Sequence, residues 1–131
     1  MKKKYIEVSE VRYFVPKDTS LQFFTKQGSV DVVDYSNSGF LLRCSNHQLS
    51  VGQDVRVSSV SIDGEELPIS PVLLPIQLEV VWSKPTSKSL TFEAGVRIKG
   101  QNSVNKEFLC DLLRDYFDEP EVAVEELRKV G

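Results

Sequence analysis

Alternation of apolar and polar residues with a period of two predicts that most of this chain forms half-buried β-strands. The clearest run covers residues 76–82, where Ile76, Leu78 and Val80 stand at every second position. A second run over residues 90–98 follows a short turn and is the expected partner of the first. Further β-prone stretches lie at residues 5–15, 21–25, 30–34, 39–44 and 55–60.

Short polar segments separate these stretches, and Asp63-Gly64 is the strongest turn signal among them. Both residue types tolerate a positive φ, so the dipeptide predicts a tight hairpin. Six or so strands joined by such turns predict a closed antiparallel barrel, because closure removes exposed strand edges.

The pattern changes near residue 102, after which apolar residues recur at helical spacing from Phe108 to Tyr116. Ser103 or Asn105 is the expected N-cap, and Pro120 is expected to end this helix and to begin a second short one. The predicted fold class is therefore mainly β, with a six-stranded antiparallel β-barrel followed by one or two C-terminal α-helices.

Composition indicates one globular domain with an acidic balance. The chain has 131 residues, of which 40% are hydrophobic and 27% charged, and its formal net charge is −3. This length can bury a core without disulfides or metal. Binding of a nucleic-acid polymer requires a basic surface that displaces counterions, so we expect no such partner.

The two cysteines, Cys44 and Cys110, have no CxxC or Cys/His neighbour at metal-ligand spacing. We therefore expect buried free thiols, as in a reducing cytosol, and no metal site. The basic start is not followed by an apolar segment, and the apolar stretch 71–82 is interrupted by Gln77 and Glu79. The sequence therefore predicts a cytoplasmic protein without membrane insertion.

No catalytic constellation is present in the sequence. The single histidine, His47, lies between Asn46 and Gln48 in a predicted loop, where a solvated side chain is the usual outcome. The sequence lacks four common catalytic or nucleotide-binding motifs, namely GxSxG, HExxH, GxxxxGK[ST] and GxGxxG. We expect no enzyme activity, no catalytic residues and no cofactor.

The most informative segment is the turn at residues 34–39, an Asp-x-Ser-x-x-Gly pattern between two apolar strands. The Asp34 carboxylate can accept hydrogen bonds from N–H donors, and the Ser36 hydroxyl can hold the turn. Gly39 lets the backbone approach a neighbour without a Cβ clash. Taken alone, the hexapeptide is more simply explained as an Asx-turn with a bulge glycine. Together with the further segments described next, the interpretation as a ligand site is favoured.

Other segments in the right order make the chain resemble a PilZ domain, the bacterial receptor module for cyclic di-GMP. Its second motif resembles residues 34–39, and its Leu-x-x-Gly-x-x-Val stretch resembles residues 49–55. Val-Val-Trp at 80–82 and Gly-Val-Arg-Ile at 95–98 resemble two further strands of that family. With the closing helix, the resemblance covers roughly residues 8–117 and implies a PilZ-like barrel that binds cyclic di-GMP.

The first motif of PilZ domains, Arg-x-x-x-Arg, is present only in part. Arg12 precedes an apolar-Pro stretch as the second arginine does, but the position four residues earlier is Val8, flanked by Glu7 and Glu10. Loss of one guanidinium contact to phosphate costs on the order of 1.5–3 kcal/mol, a roughly ten- to hundredfold loss of affinity. The run at residues 2–4 supplies lysine charge without the planar arginine fork.

The resemblance implies a cyclic di-GMP site formed by Arg12, Asp34, Ser36 and Gly39, with ligand binding relayed to an unidentified protein partner. Arg12 would contact a phosphate or stack on guanine, and Asp34 and Ser36 would hold a guanine edge. The alternative is a degenerate PilZ domain that no longer binds cyclic di-GMP and acts as a protein-interaction adaptor. No residue set favours a third possibility, an enzyme acting on a nucleotide or carbohydrate.

The expected organisation has a flexible segment at 1–10 that clamps over the ligand, a barrel with its closing helix at 11–117, and a helical tail at 118–131. Arg43 and Arg97 lie on predicted barrel strands. Each is either a solvent-facing strand residue or a further cation at the site.

Overall fold

The computed structural model of the chain describes residues 11–67, 75–99, 103–117 and 121–124. Within these ranges it forms nine strands in one sheet and one helix. In chain order the elements are β1 Val11–Phe14, β2 Leu21–Thr25, β3 Gly28–Tyr35, β4 Gly39–Ser45, β5 Asp54–Ile62, β6 Glu65–Glu66, β7 Ile76–Pro85, β8 Thr91–Ile98, α1 Ser103–Phe117 and β9 Glu121–Val124.

Six of these strands close into an antiparallel barrel in the order β2-β5-β7-β8-β4-β3. A direct β2–β3 pairing, with Phe23 opposite Val30, joins the ends of this order. Closure satisfies the backbone hydrogen bonds that an open sheet would leave at its edges. The predicted six-stranded antiparallel barrel is therefore confirmed.

The alternation along each strand sends one set of side chains into the barrel. Leu78 and Val80 on β7 are fully buried, and Phe23 contacts Phe40 edge to face with ring centroids 4.8 Å apart. Helix α1 packs on this core through buried apolar side chains that include Leu113. Burial of each such large apolar side chain contributes about 1.5–3 kcal/mol, which makes this core the main source of stability.

Local turn and helix signals match the structure. Asp63 and Gly64 both have positive φ, 52° and 87°, in the turn between β5 and β6. Helix α1 ends at Phe117, before the segment that contains Pro120, as predicted. The side chains of residues 103–108, which include the predicted caps, lie outside the described part of the structure. No helix among the described residues is long and apolar enough to cross a membrane.

The predicted second helix is wrong over Glu121–Val124, which form strand β9. This strand pairs antiparallel with β1, with Val11 opposite Val124 and Phe14 opposite Glu121. Two β-branched valines at alternate positions suit a strand. The free edge of β1 supplies hydrogen-bonding partners, and a prediction from neighbouring residues alone does not take these partners into account. The rest of the 118–131 tail and the 1–10 segment lie outside the described residues.

Strands β1 and β9 form an extension of the barrel beside β3. The first part of β3 pairs with β2, with Gln22 opposite Asp31, whereas its last part pairs with β1, with Phe14 opposite Asp34. The register of β3 against β4 also shifts between Val32 and Asp34, which marks a bulge. This change of partner brings β1 against the turn at residues 34–39.

Candidate functional site

Arg12 and Asp34 meet across the short β1–β3 pairing. Phe14 lies opposite Asp34, and Arg12 is two residues from Phe14, so its side chain is on the same face and diagonal to Asp34. Nη2 of Arg12 donates a hydrogen bond to Oδ1 of Asp34 at 2.5 Å. The Asp34 side chain is 6% exposed and the Arg12 side chain 27%, so the cation forms the accessible end of the pair.

The pair lies on the outer wall of the barrel, the face opposite the core. Residues directly opposite one another in an antiparallel sheet point to the same face. Successive cross-strand partners therefore place one row of side chains on this wall, namely Phe14, Asp34, Leu41, Gly95 and Trp82.

Ser36 closes the turn that follows Asp34. Its backbone N–H donates to the carbonyl of Gly39 at 2.9 Å, and the N–H of Gly39 donates to the Ser36 hydroxyl oxygen at 3.3 Å. The Ser36 side chain is buried. These bonds close the turn directly after Tyr35, the last residue of β3, and Ser36 itself is two residues from Asp34.

Gly39 begins β4 at a point where two backbones come very close. A Cβ on this residue would lie 2.0 Å from the carbonyl oxygen of Val96 and 3.0 Å from Cα of Arg97. No side chain fits there, because both obstacles are backbone atoms of β8. The glycine is therefore required by the β4–β8 pairing.

The structure thus brings two of the predicted site residues into direct contact and uses the other two to shape the adjoining turn. Arg12 and Asp34 supply a cation and an acceptor on the outer wall. Ser36 and Gly39 are buried in the turn and in the start of β4. What the arrangement offers to a ligand is a guanidinium fork beside a carboxylate.

The sequence analysis missed a cluster of side chains on the core side of the pair. The Tyr13 and Tyr35 rings stack with centroids 5.5 Å apart, and Tyr35 contacts Phe117 of α1 at 6.1 Å. Nη1 of Arg114 donates to the Tyr13 hydroxyl at 2.7 Å, which raises the pKa of Arg114. Burial raises the pKa of Tyr35. The tyrosine at the second position of the Asp-x-Ser motif was the available signal for this cluster.

The two further arginines considered from the sequence, Arg43 and Arg97, both lie in ion pairs. Nη2 of Arg43 is 3.0 Å from Oε2 of Glu93, and Arg97 donates to Oε1 of Glu79 through both Nε and Nη2. Neither arginine contacts Asp34 or Arg12 in the described hydrogen bonds.

Trp82 occupies the far end of the outer-wall row and is 40% exposed. Its indole covers Gly95 so closely that a Cβ there would lie 2.2 Å from Nε1. Nζ of Lys84 lies 5.5 Å from the centre of the ring, within cation–π range. The outer wall therefore carries an accessible aromatic surface as well as the charged pair.

Comparison with protein-family models matches residues 8–115 to the PilZ domain. The matched stretch covers most of the chain and includes the barrel and most of α1. It also includes Arg12 and the turn at residues 34–39. The resemblance inferred from the motifs is confirmed. Comparison with curated protein sequences finds no match.

Proposed function

The chain belongs to the PilZ domain family, a family of cyclic di-GMP receptors, and from this premise we propose that it binds cyclic di-GMP beside Arg12 and Asp34. In this proposal the domain acts as a cytoplasmic receptor that passes the second-messenger level to a protein partner. PilZ is a binding domain, and no catalytic step enters the proposal.

The observation that carries the proposal is the contact between Arg12 and Asp34, which are 22 residues apart in the chain. A guanidinium binds phosphate oxygens with paired N–H donors and stacks on a purine face. A carboxylate accepts the N–H donors of a guanine edge. One cation and one acceptor side by side therefore match the two kinds of group that a guanine dinucleotide presents.

Ligand binding would exchange one set of charge-assisted hydrogen bonds for another. In the structure Arg12 and Asp34 are ion-paired with each other. A guanine edge would replace Arg12 as donor to Asp34, and Arg12 would turn to a phosphate. The partial exposure of Arg12 leaves its guanidinium accessible to a ligand phosphate.

The contacts of β1 suggest how binding would reach a partner. Tyr13 follows Arg12 in the chain and is hydrogen-bonded to Arg114 of α1. The other edge of β1 pairs with β9, with Arg12 opposite Ala123. A change in Arg12 would therefore act on both C-terminal elements, and a partner that contacts them would sense the ligand. The proposed clamp at 1–10 lies outside the described residues.

Two observations favour the alternative, a PilZ domain that serves as an adaptor without cyclic di-GMP. The Asp34 carboxylate is only 6% exposed and is already paired. The position of the first motif arginine is Val8. We expect this departure to weaken the site roughly ten- to hundredfold relative to a complete motif, and a weakened site remains measurable.

Calorimetric titration of cyclic di-GMP into the full chain separates the two functions. We expect micromolar binding that weakens at least tenfold in Arg12→Ala and in Asp34→Ala. Arg56→Ala is the matched control, because Arg56 is an exposed arginine on β5, outside the β1–β3 pairing. Circular dichroism of each variant checks that the barrel is intact. Absence of heat with the wild-type chain at millimolar ligand would reject the receptor function and leave the adaptor.

A further inference from the structure

A cleft of about 520 Å³ is lined by Phe14, the cross-strand partner of Asp34, and by residues of the following loop and of β3 and β4. It lies where β3 changes its partner from β2 to β1. The backbone N–H of Val15 still donates to the carbonyl of Val33 at 3.0 Å, after which the chain leaves the sheet and returns at Leu21. The loop at residues 15–20 and the bulge in β3 leave the space between them open.

We call this space the junction cleft. Its lining includes one hydrogen-bond acceptor, Asp31, two cations, Lys17 and Arg43, and one aromatic ring, Phe14. Asp31 and Arg43 are direct cross-strand partners on the outer wall. The Asp31 carboxylate is exposed and, among the described residues, accepts one side-chain hydrogen bond, from Nε2 of Gln22 at 3.0 Å. A carboxylate in this state keeps free lone pairs for further donors.

Asp31 and Arg43 repeat the residue types of the Arg12–Asp34 pair on the same face, but Arg43 is ion-paired with Glu93, so a phosphate would have to replace Glu93 as its partner. Along β4 the two positions are Arg43 and Leu41, the partners of Asp31 and Asp34. Two residues of strand separate them by about 7 Å. Phe14 connects the two places, because it lies opposite Asp34 and also lines the cleft.

We propose that the junction cleft is a second nucleotide subsite, which receives the second guanosine half of cyclic di-GMP. This inference rests on the proposed function. The ligand consists of two identical guanosine phosphate halves, so two couples of carboxylate and cation on one wall match its repeated chemistry. Asp31 accepts the guanine edge, Phe14 contacts the base, and Lys17 with Arg43 faces a phosphate. These contacts offset part of the loss at Val8.

Asp31→Asn tests the subsite against a control with the same change of charge. Asp18 lies in the same loop region, is exposed and does not line the cleft, so Asp18→Asn is the matched variant. Both substitutions remove one negative charge and strengthen the general attraction of an anionic ligand equally. We expect Asp31→Asn to weaken cyclic di-GMP binding about tenfold, and Asp18→Asn to leave it unchanged or slightly stronger.

The outcomes separate this inference from the proposed function. One result would reject the subsite but keep the receptor function: the wild-type chain binds cyclic di-GMP, Arg12→Ala weakens this binding, and Asp31→Asn has the same affinity as Asp18→Asn. If the wild-type chain does not bind cyclic di-GMP, both fall. Amide chemical shifts supply a second measurement: ligand addition is expected to move the signals of Lys17 and Thr19, which line the cleft. Unmoved signals in a binding protein would also reject the subsite.

Discussion

Arg12 and Asp34 form an ion pair whose two ends differ in exposure, 27% for the arginine side chain and 6% for the aspartate. The buried partner depends on the pair more than the exposed one does, because water can solvate a freed guanidinium at the surface. Removal of a partner from a buried charge leaves the desolvation of that charge uncompensated.

This asymmetry predicts the order of two stability changes in the ligand-free protein. Arg12→Ala should lower the free energy of unfolding by about 2–3 kcal/mol, and Asp34→Ala by about 1 kcal/mol. Urea unfolding curves measure both. The double variant should resemble Asp34→Ala, since the two residues act as one unit. A larger loss in Asp34→Ala than in Arg12→Ala would contradict this account of the pair.

Gly39→Ala is expected to destabilise the barrel by about 3 kcal/mol, because the new methyl group overlaps backbone of β8. The closest atom would be the carbonyl oxygen of Val96, at 2.0 Å. Gly52→Ala is the matched control, with open space around the Cβ position and a φ of +87°; it should lose only about 1–2 kcal/mol through backbone strain. Thermal or urea unfolding measures both, and equal losses would refute the steric explanation.

Gly95→Ala is expected to push the indole of Trp82 into solvent while the barrel stays folded. The obstacle here is a surface side chain that can rotate away, with Nε1 at 2.2 Å from the new Cβ. Trp82 is the single tryptophan, so its fluorescence reports this movement directly. We expect a red-shifted emission maximum and a stability loss of about 1 kcal/mol. An unchanged spectrum would show that the indole does not cover Gly95 in solution.

Ala123→Pro tests whether β9 pairs with β1 in solution. Proline removes a backbone donor opposite Arg12, so the β1–β9 ladder should separate. Hydrogen exchange of the Val11–Phe14 amides is then expected to accelerate at least tenfold, while exchange in β8, between β4 and β7, stays as in the wild type. Unchanged exchange in β1 would argue against the strand pairing.

The buried thiol of Cys44 predicts a loss of stability at alkaline pH. Burial, and to a lesser extent the charge of Asp31, raises the pKa of Cys44 from 9.0 to about 11. The unfolded chain therefore releases this proton at lower pH than the folded chain, so the free energy of unfolding falls as pH rises from about 9 to 11. The contribution is on the order of 2 kcal/mol across that interval.

Cys44→Ala provides the comparison for this prediction. The variant is less stable at neutral pH because it leaves a cavity in the core, but its stability should fall less steeply between pH 9 and 11 than that of the wild type. Tyr35, whose pKa burial also raises, contributes to both proteins. Parallel pH profiles of the two proteins would refute the assigned role of Cys44.

Local sequence signals were sufficient for the six barrel strands, the Asp63-Gly64 turn and the end of α1. These features depend on residues that are neighbours in the chain. The alternation at Ile76, Leu78 and Val80 specifies which side chains face the core whatever strand lies beside them. Gly39 could likewise be singled out from its motif, although the reason for a glycine there is a contact with Val96.

The sequence predicted the β7–β8 pairing, whereas only the tertiary structure decided which strands distant in the chain meet and in what register. The sequence predicts a helix at residues 121–124, but the free edge of β1 supplies hydrogen-bonding partners that make this segment a strand. The Arg12–Asp34 contact and the junction cleft follow from the point at which β3 exchanges β2 for β1. The pairing of distant segments is set by the free energy of the whole barrel, which depends on residues far apart in the chain. A short stretch of sequence therefore does not specify this pairing.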